Sequence, residues 1–181
     1  MLRTGELDCA IMAEPFPDTG LAVAPLYDEP FLALVPKAHP LAKRKTITAE
    51  ELKSETMLLL GNGHCFRDHV LEVCPEFARF SNTSGGIQKS FEGSSLETIK
   101  HMVAAGMGVT LVPRLSVPKE ALAAKARRHE DAFVKYLPFA GDPPTRRVVL
   151  VWRRSFTRYE AIAALRNAIY ACELPGVKRL S

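Results

Sequence analysis

The sequence predicts an α/β fold divided between two lobes. Strand-like apolar runs alternate with helical patterns along its 181 residues. That order favours parallel strands joined by helices. Two candidate crossing points, near residues 28–30 and 138–145, split the chain so that its middle forms one lobe and both ends the other. No internal repeat is visible.

The elements read in order as follows. "LDCAIMAE" (7–14) is a buried strand ended by Pro15 and Pro17. "LAVAPLYDEPFLALVP" (21–36) is extended but contains Pro25 and Pro30. Proline cannot donate to a ladder, so two strands meeting near 28–30 are expected rather than one. "TITAEELKS" is a short helix with Thr48 as N-cap and Glu51 at the capping-box spacing. "TMLLLG" is a buried strand, and a helix starts near Gly63 or His64. "SNTSGGIQKSFEG" is Gly/Ser-rich and then strand-like. The next helix is capped by Ser94 or Ser95, carries Leu96, Ile99 and Val103 at helical spacing, and stops at Gly106. "GVTLVP" is a buried strand, "KEALAAKARRHED" a helix or helical insertion, and "AFVKYLPF" and "RRVVLVWRR" are strands. The last helix sets Tyr159, Ile162, Leu165, Ile169 and Cys172 near one face.

Composition narrows the class. With 47% hydrophobic and 24% charged residues the chain is globular. It has no apolar run long enough to span a membrane and no secretory signal, so a cytoplasmic protein away from membranes is expected. Four cysteines at irregular spacing do not make a disulfide scaffold, so reduced thiols are expected. The net charge of +4 is mild, and the basic groups 43–45, 127–128, 146–147 and 153–154 are scattered as solvated faces and loop ends. No helix-turn-helix pattern appears, so the chain by itself is not expected to grip nucleic acid.

The cysteines carry the chemistry. Cys9 in a strand and Cys172 on an apolar stripe read as core thiols. Cys65 differs, because it lies just inside a helix start with His64 before it and Arg67 close by. The helix dipole and cationic neighbours favour the nucleophilic thiolate. A structural thiol competes with this reading. A metal site is disfavoured because no CxxC or closely spaced His/Cys set completes four ligands. Cys74 lies nine residues on. In a continuous helix nine residues rise about 13–14 Å and bring the side chains to opposite faces. A disulfide needs Cα atoms within about 7 Å. Any Cys65–Cys74 bond therefore requires the segment between them to unwind, which is the form of a redox switch.

Several stretches, "RTGELDCAIM", "LYDEPFLALVPKAHPLA" and "SLETIKHMVAAGMGVTLVPRLSV", together resemble the regulatory domain of LysR-type transcriptional regulators. Within that family "GHCFRDHVLEVC" resembles the signature of the peroxide-sensing OxyR branch. The resemblance implies a two-lobed, periplasmic-binding-protein-like regulatory domain. Lobe I would comprise 1–28 and 139–181, incomplete on its N-terminal side, and lobe II would be 29–138. The family's DNA-binding winged helix-turn-helix and the first strand–helix portion of its first lobe have no counterpart here, so an N-terminally truncated fragment is expected.

The same resemblance makes Cys65 the peroxide-reacting thiol and Cys74 its resolving partner, supported by His64, Arg67, Asp68 and Arg146. It implies a stoichiometric sensor of hydrogen peroxide, reset by a glutaredoxin- or thioredoxin-type reductant, rather than an enzyme. It further implies a homodimer, tetrameric in full-length form, that reaches promoter DNA and RNA polymerase only through the full-length protein. No cofactor or metal is implied. Three alternatives stay open: a LysR-type domain binding a small organic effector between its lobes, a thiol peroxidase or oxidoreductase, and a transport-type solute-binding protein. The lack of a signal sequence counts against the last, and the lack of CxxC against a thioredoxin-like enzyme.

Overall fold

A computed structural model describes residues 1–17, 20–61, 65–75, 95–119 and 132–180. Its strands are β1 (Cys9–Ala13), β2 (Leu21–Pro36), β3 (Thr110–Pro113), β4 (Val134–Pro138), β5 (Thr145–Arg153) and β6 (Lys178–Arg179). Its α-helices are α1 (Ala49–Leu52), α2 (Cys65–Val73), α3 (Leu96–Ala104) and α4 (Tyr159–Ala171). The chain divides into two compact units, Met1–Pro30 with Thr145–Ser181, and Phe31–Pro144. These bounds stand at 30/31 and 144/145 rather than 28/29 and 138/139. Asp28, Glu29 and Pro30 still pair with Arg147, Arg146 and Thr145, which keeps them in the first unit.

In the first unit β5 runs between β1 and β2. Leu150 stands opposite Ile11 on one side and Ala24 on the other. With a neighbour on each edge, Val148–Val151 are buried, which gives the run its uninterrupted apolar reading. The expectation of parallel strands is nevertheless overturned. Every ladder among the described residues is antiparallel, and parallel pairing is confined to the isolated bridges Ile47–Phe139 and Met57–Val109. A central antiparallel strand covered on both faces carries the same apolar run as a parallel one, so composition does not separate them.

The two expected strands over 21–36 are one. Pro25 sits at a register shift, where Leu26 is the extra residue between the pairs Pro25–Val149 and Tyr27–Val148. A bulge interrupts the ladder where proline has no N–H to give. Pro30 sits where the partners change. It makes the last pair with β5, and from Phe31 onward the strand pairs with β3 and then also with β4.

The core of this unit is small: Leu26, Val148, Leu150, Phe156 and Ile162, with Cys9, Tyr27, Trp152, Ile169 and Tyr170 packed partly buried against it. The expected core thiols are corrected accordingly. Cys9 is only half-buried, because β1 pairs on one side alone among the described residues. Cys172 is exposed. It is the C-cap of α4 with an extended backbone, φ −67° and ψ 139°, so the helical stripe ends before reaching it. Of α4 only Ile162 is fully buried, while Tyr159 and Leu165 are exposed.

The second unit holds the larger core, centred on Phe31–Val35 of β2. α1 has its capping box: Glu51 N–H donates to Thr48 Oγ1 at 3.3 Å, and Thr48 N–H to Glu51 Oε2 at 2.9 Å. α3 is capped by Ser95, whose hydroxyl accepts from Thr98 N–H at 3.2 Å, and the chain leaves it through Gly106 at φ +80°. The expected strand at 57–60 is buried but joins no ladder. Leu58 N–H donates to the Val109 carbonyl at 2.8 Å, and Val109 N–H to that of Thr56 at 2.9 Å. The Leu58 carbonyl then accepts the Thr110 hydroxyl at 2.7 Å in place of a backbone N–H. This close approach depends on Gly108, where a Cβ would fall 2.4 Å from the Thr56 carbonyl oxygen. The elements expected over 81–93 and 120–131 lie outside the described residues.

Candidate redox site

Cys65 is the first described residue of α2, and its thiol lies at the surface. Phe66 and Val70 turn inward at i and i+4, and Cys74 continues that face at i+8 with 0% exposure. Cys74 N–H donates to the Val70 carbonyl at 3.0 Å, so helical bonding reaches it. Neither Cys65 nor Cys74 is in a disulfide. A helical span of nine steps, about 13–14 Å, is roughly twice what a disulfide bridges.

The inward face of α2 is fixed by aromatic packing. Phe66 meets Phe31 edge to face with centroids 5.6 Å apart, and the buried His69 ring lies 6.3 Å from Phe31. Arg67 donates from Nη1 to the Leu60 carbonyl at 3.0 Å. Asp68 is exposed in the first turn, where a carboxylate complements the helix dipole. His64 lies outside the described residues.

Cys65, Arg67, Asp68 and Cys74 therefore share one short helical segment. Arg146 belongs to the other unit, where its Nε and Nη2 meet Glu29 Oε2 at 2.9 and 2.8 Å. Beside it Arg147 grips Asp28 with two bonds of 2.9 and 3.1 Å. The phenol of Tyr27 is pushed above its ordinary range by burial first and the Glu29 charge second, with Arg146 opposing.

Residue types alone did not point to Phe31, His69, the Leu60 carbonyl or Glu29. For Glu29 a signal existed: the acidic pair 28–29 and the basic pair 146–147 sit on two expected strands. Only the antiparallel register turns them into partners. Among the described residues no group of three or more His, Cys, Asp or Glu is placed to hold a metal ion, and no helix is long and apolar enough to cross a membrane.

The family model for the LysR substrate binding domain matches residues 1–171. The hydrogen peroxide-inducible genes activator of Pectobacterium carotovorum subsp. carotovorum is 38% identical over 165 residues, 90% of this chain and 50% of that protein. The chain thus spans about half the length of the curated relatives it matches. The structure of a reduced form of OxyR from N. meningitidis superposes with a TM-score of 0.86 at 37% identity, covering 99% of this chain and 79% of that one. The reduced form of the OxyR regulatory domain from Pseudomonas aeruginosa gives 0.74 at 41% identity, covering 94% and 76%. The fold is thus the two-lobed, periplasmic-binding-like α/β architecture of these regulators. An α/β chain with a thiol at each end of one helix, matched over nearly its whole length, belongs to the LysR substrate-binding-domain family.

Proposed function

We propose that this chain is the sensor of a peroxide-responsive LysR-type transcription factor. The observation that carries the reading is the contrast between an exposed Cys65 at the start of α2 and a fully buried Cys74 at its end. It stands within a chain 38% identical to a hydrogen peroxide-inducible activator.

The chemistry is a two-step oxidation. The Cys65 thiol gives up its proton, the thiolate attacks one peroxide oxygen, the O–O bond breaks, and the leaving hydroxide takes up a proton, so the products are a Cys65 sulfenic acid and water. The Cys74 thiol then attacks the Cys65 sulfur, the S–S bond forms, and the sulfenic oxygen leaves as a second water. Peroxide is reduced by two electrons and the thiol pair is oxidised by two. Resetting consumes an external dithiol of glutaredoxin or thioredoxin type, so the domain is a stoichiometric sensor and not an enzyme. His64, Arg67, Asp68 and Arg146 are the supporting residues in this reading, of which Arg67 and Asp68 stand on the helix of the thiols.

The two units would act as lobes I and II of the regulatory domain. In the full-length protein the sensor would work as a cytoplasmic homodimer assembling to a tetramer, with promoter DNA and RNA polymerase engaged by the whole molecule. Intact mass and thiol counting before and after a small excess of hydrogen peroxide test the reading. The expected result is loss of two thiols per chain and a mapped Cys65–Cys74 bond, abolished in Cys65→Ser. A sulfenic acid confined to Cys9 or Cys172 would refute it.

A further inference from the structure

We propose that Arg67 is a positioning residue that latches α2 in its reduced register, with the Leu60 carbonyl as the catch. The inference rests on the proposed Cys65–Cys74 switch and adds what restrains it.

The two ends of the latch differ in how firmly they are held. The catch is tied into the core: Leu60 is buried and follows a segment bonded at Leu58 and Thr56 to Val109, and at the Leu58 carbonyl to the Thr110 hydroxyl. The other end is a side chain on the first turn of a nine-residue helix. A helix this short has little stability of its own in water and depends on tertiary contacts. Those contacts are unevenly placed. Phe66, His69, Val70 and Cys74 bury the inward face. The half-buried Arg67 adds a bond of 3.0 Å that reaches back over seven residues and ties the turn beside Cys65 to the core. Disulfide formation needs α2 to unwind, because its helical span exceeds disulfide reach. The Arg67–Leu60 bond must therefore open before Cys74 can approach Cys65. A hydrogen bond from a charged group is among the stronger single contacts, so its removal should favour opening by about tenfold or more.

The test uses the whole chain and the variants Arg67→Met and Arg67→Lys. Hydrogen exchange of the amides over 65–74 in the reduced protein reads the latch without any peroxide. Closure is read separately, as the first-order conversion of Cys65 sulfenic acid to disulfide, by rapid alkylation and mass spectrometry. An effect of Arg67 on thiol reactivity then enters only the preceding step. Arg67→Met is expected to exchange about tenfold faster over 65–74 and to close correspondingly faster. Arg67→Lys, which still donates to a carbonyl, is expected to fall between it and the parent. Parent-like exchange and closure in Arg67→Met overturn the latch. If the parent forms no Cys65–Cys74 disulfide yet reduced Arg67→Met exchanges faster, the switch fails while the tie between Arg67 and α2 stands.

Discussion

Glu29 and Arg146 face each other across β2 and β5, and the carboxylate, 1% exposed, accepts both guanidinium bonds on the single oxygen Oε2. Next to them Asp28 and Arg147 repeat the pairing in more exposed surroundings. The inner pair holds a buried charge and the outer one does not, so the two have different energetic weight.

Arg146→Met should therefore destabilise the first unit by about 3 kcal/mol, because it strips a buried carboxylate of its guanidinium. The double variant Glu29→Met/Arg146→Met should recover most of that loss, since an apolar pair of similar volume removes the desolvation cost too. Arg147→Met should cost far less than Arg146→Met, because the outer guanidinium is solvent-exposed. Urea unfolding of the three variants checks the ranking, and a double variant no more stable than Arg146→Met would contradict it.

Tyr27 gives the fold an alkaline limit. Its phenol is raised by burial and by Glu29, so the folded state holds the proton more tightly than the unfolded chain, whose phenol titrates near its ordinary value of 10.0. The contribution is fully present below that value and is lost as pH rises through the folded pKa, because the unfolded state ionises first. Tyr27→Phe should flatten the alkaline arm of a stability–pH profile and leave the neutral region's pH dependence unchanged. An unchanged alkaline arm would show that Tyr27 does not set it.

The capping box of α1 predicts an acid effect of opposite sign. Glu51 is held below the usual carboxylate range, first by the Thr48 backbone N–H and then by its hydroxyl. Its contribution is present above the unfolded value of 4.5 and is lost as pH falls through the folded one. Thr48→Ala should cost about 1 kcal/mol at neutral pH. Glu51→Gln should reduce the acid sensitivity of unfolding, measured by thermal melts between about pH 3 and pH 6. Identical slopes for Glu51→Gln and the parent would dispose of the linkage.

What the sequence disclosed follows from how local each signal is. The Thr48 and Ser95 caps and the stop at Gly106 rest on residues within one turn of each other, and the structure has them at the expected places, while the helix start expected at Gly63 or His64 lies outside the described residues. Strand direction has no such local signal, because Val148–Val151 carry no mark of parallel or antiparallel neighbours. Pro25 and Pro30 argued for a break in β2. The bulge at Leu26 and the change of partners at Phe31 accommodate them without one. Cys172 looked buried because a helical stripe was extended one residue past the helix end. The carbonyl of Leu60 has no signature in residue type, and only the folded geometry shows that Arg67 uses it.

The last prediction concerns Phe66, whose ring is buried against Phe31 in the second unit. Phe66→Ala deletes that packing and should destabilise the reduced protein by about 3 kcal/mol. If disulfide formation unwinds residues 65–74, Phe66 leaves this site in the oxidised state, and the same substitution costs less there. The difference between the two costs must appear in the thiol–disulfide equilibrium, because the four states form a closed cycle. A difference of about 1.4 kcal/mol is tenfold in that equilibrium, or about 30 mV for a two-electron couple. Phe66→Ala should therefore be oxidised at least about tenfold more readily than the parent in a glutathione redox buffer. Val70→Ala, on the same face with a smaller side chain, should shift it in the same direction by less. An equilibrium identical to the parent's in Phe66→Ala, with the reduced form destabilised as expected, would mean that Phe66 keeps its packing after oxidation. The disulfide would then have to form without unwinding the first turn of α2.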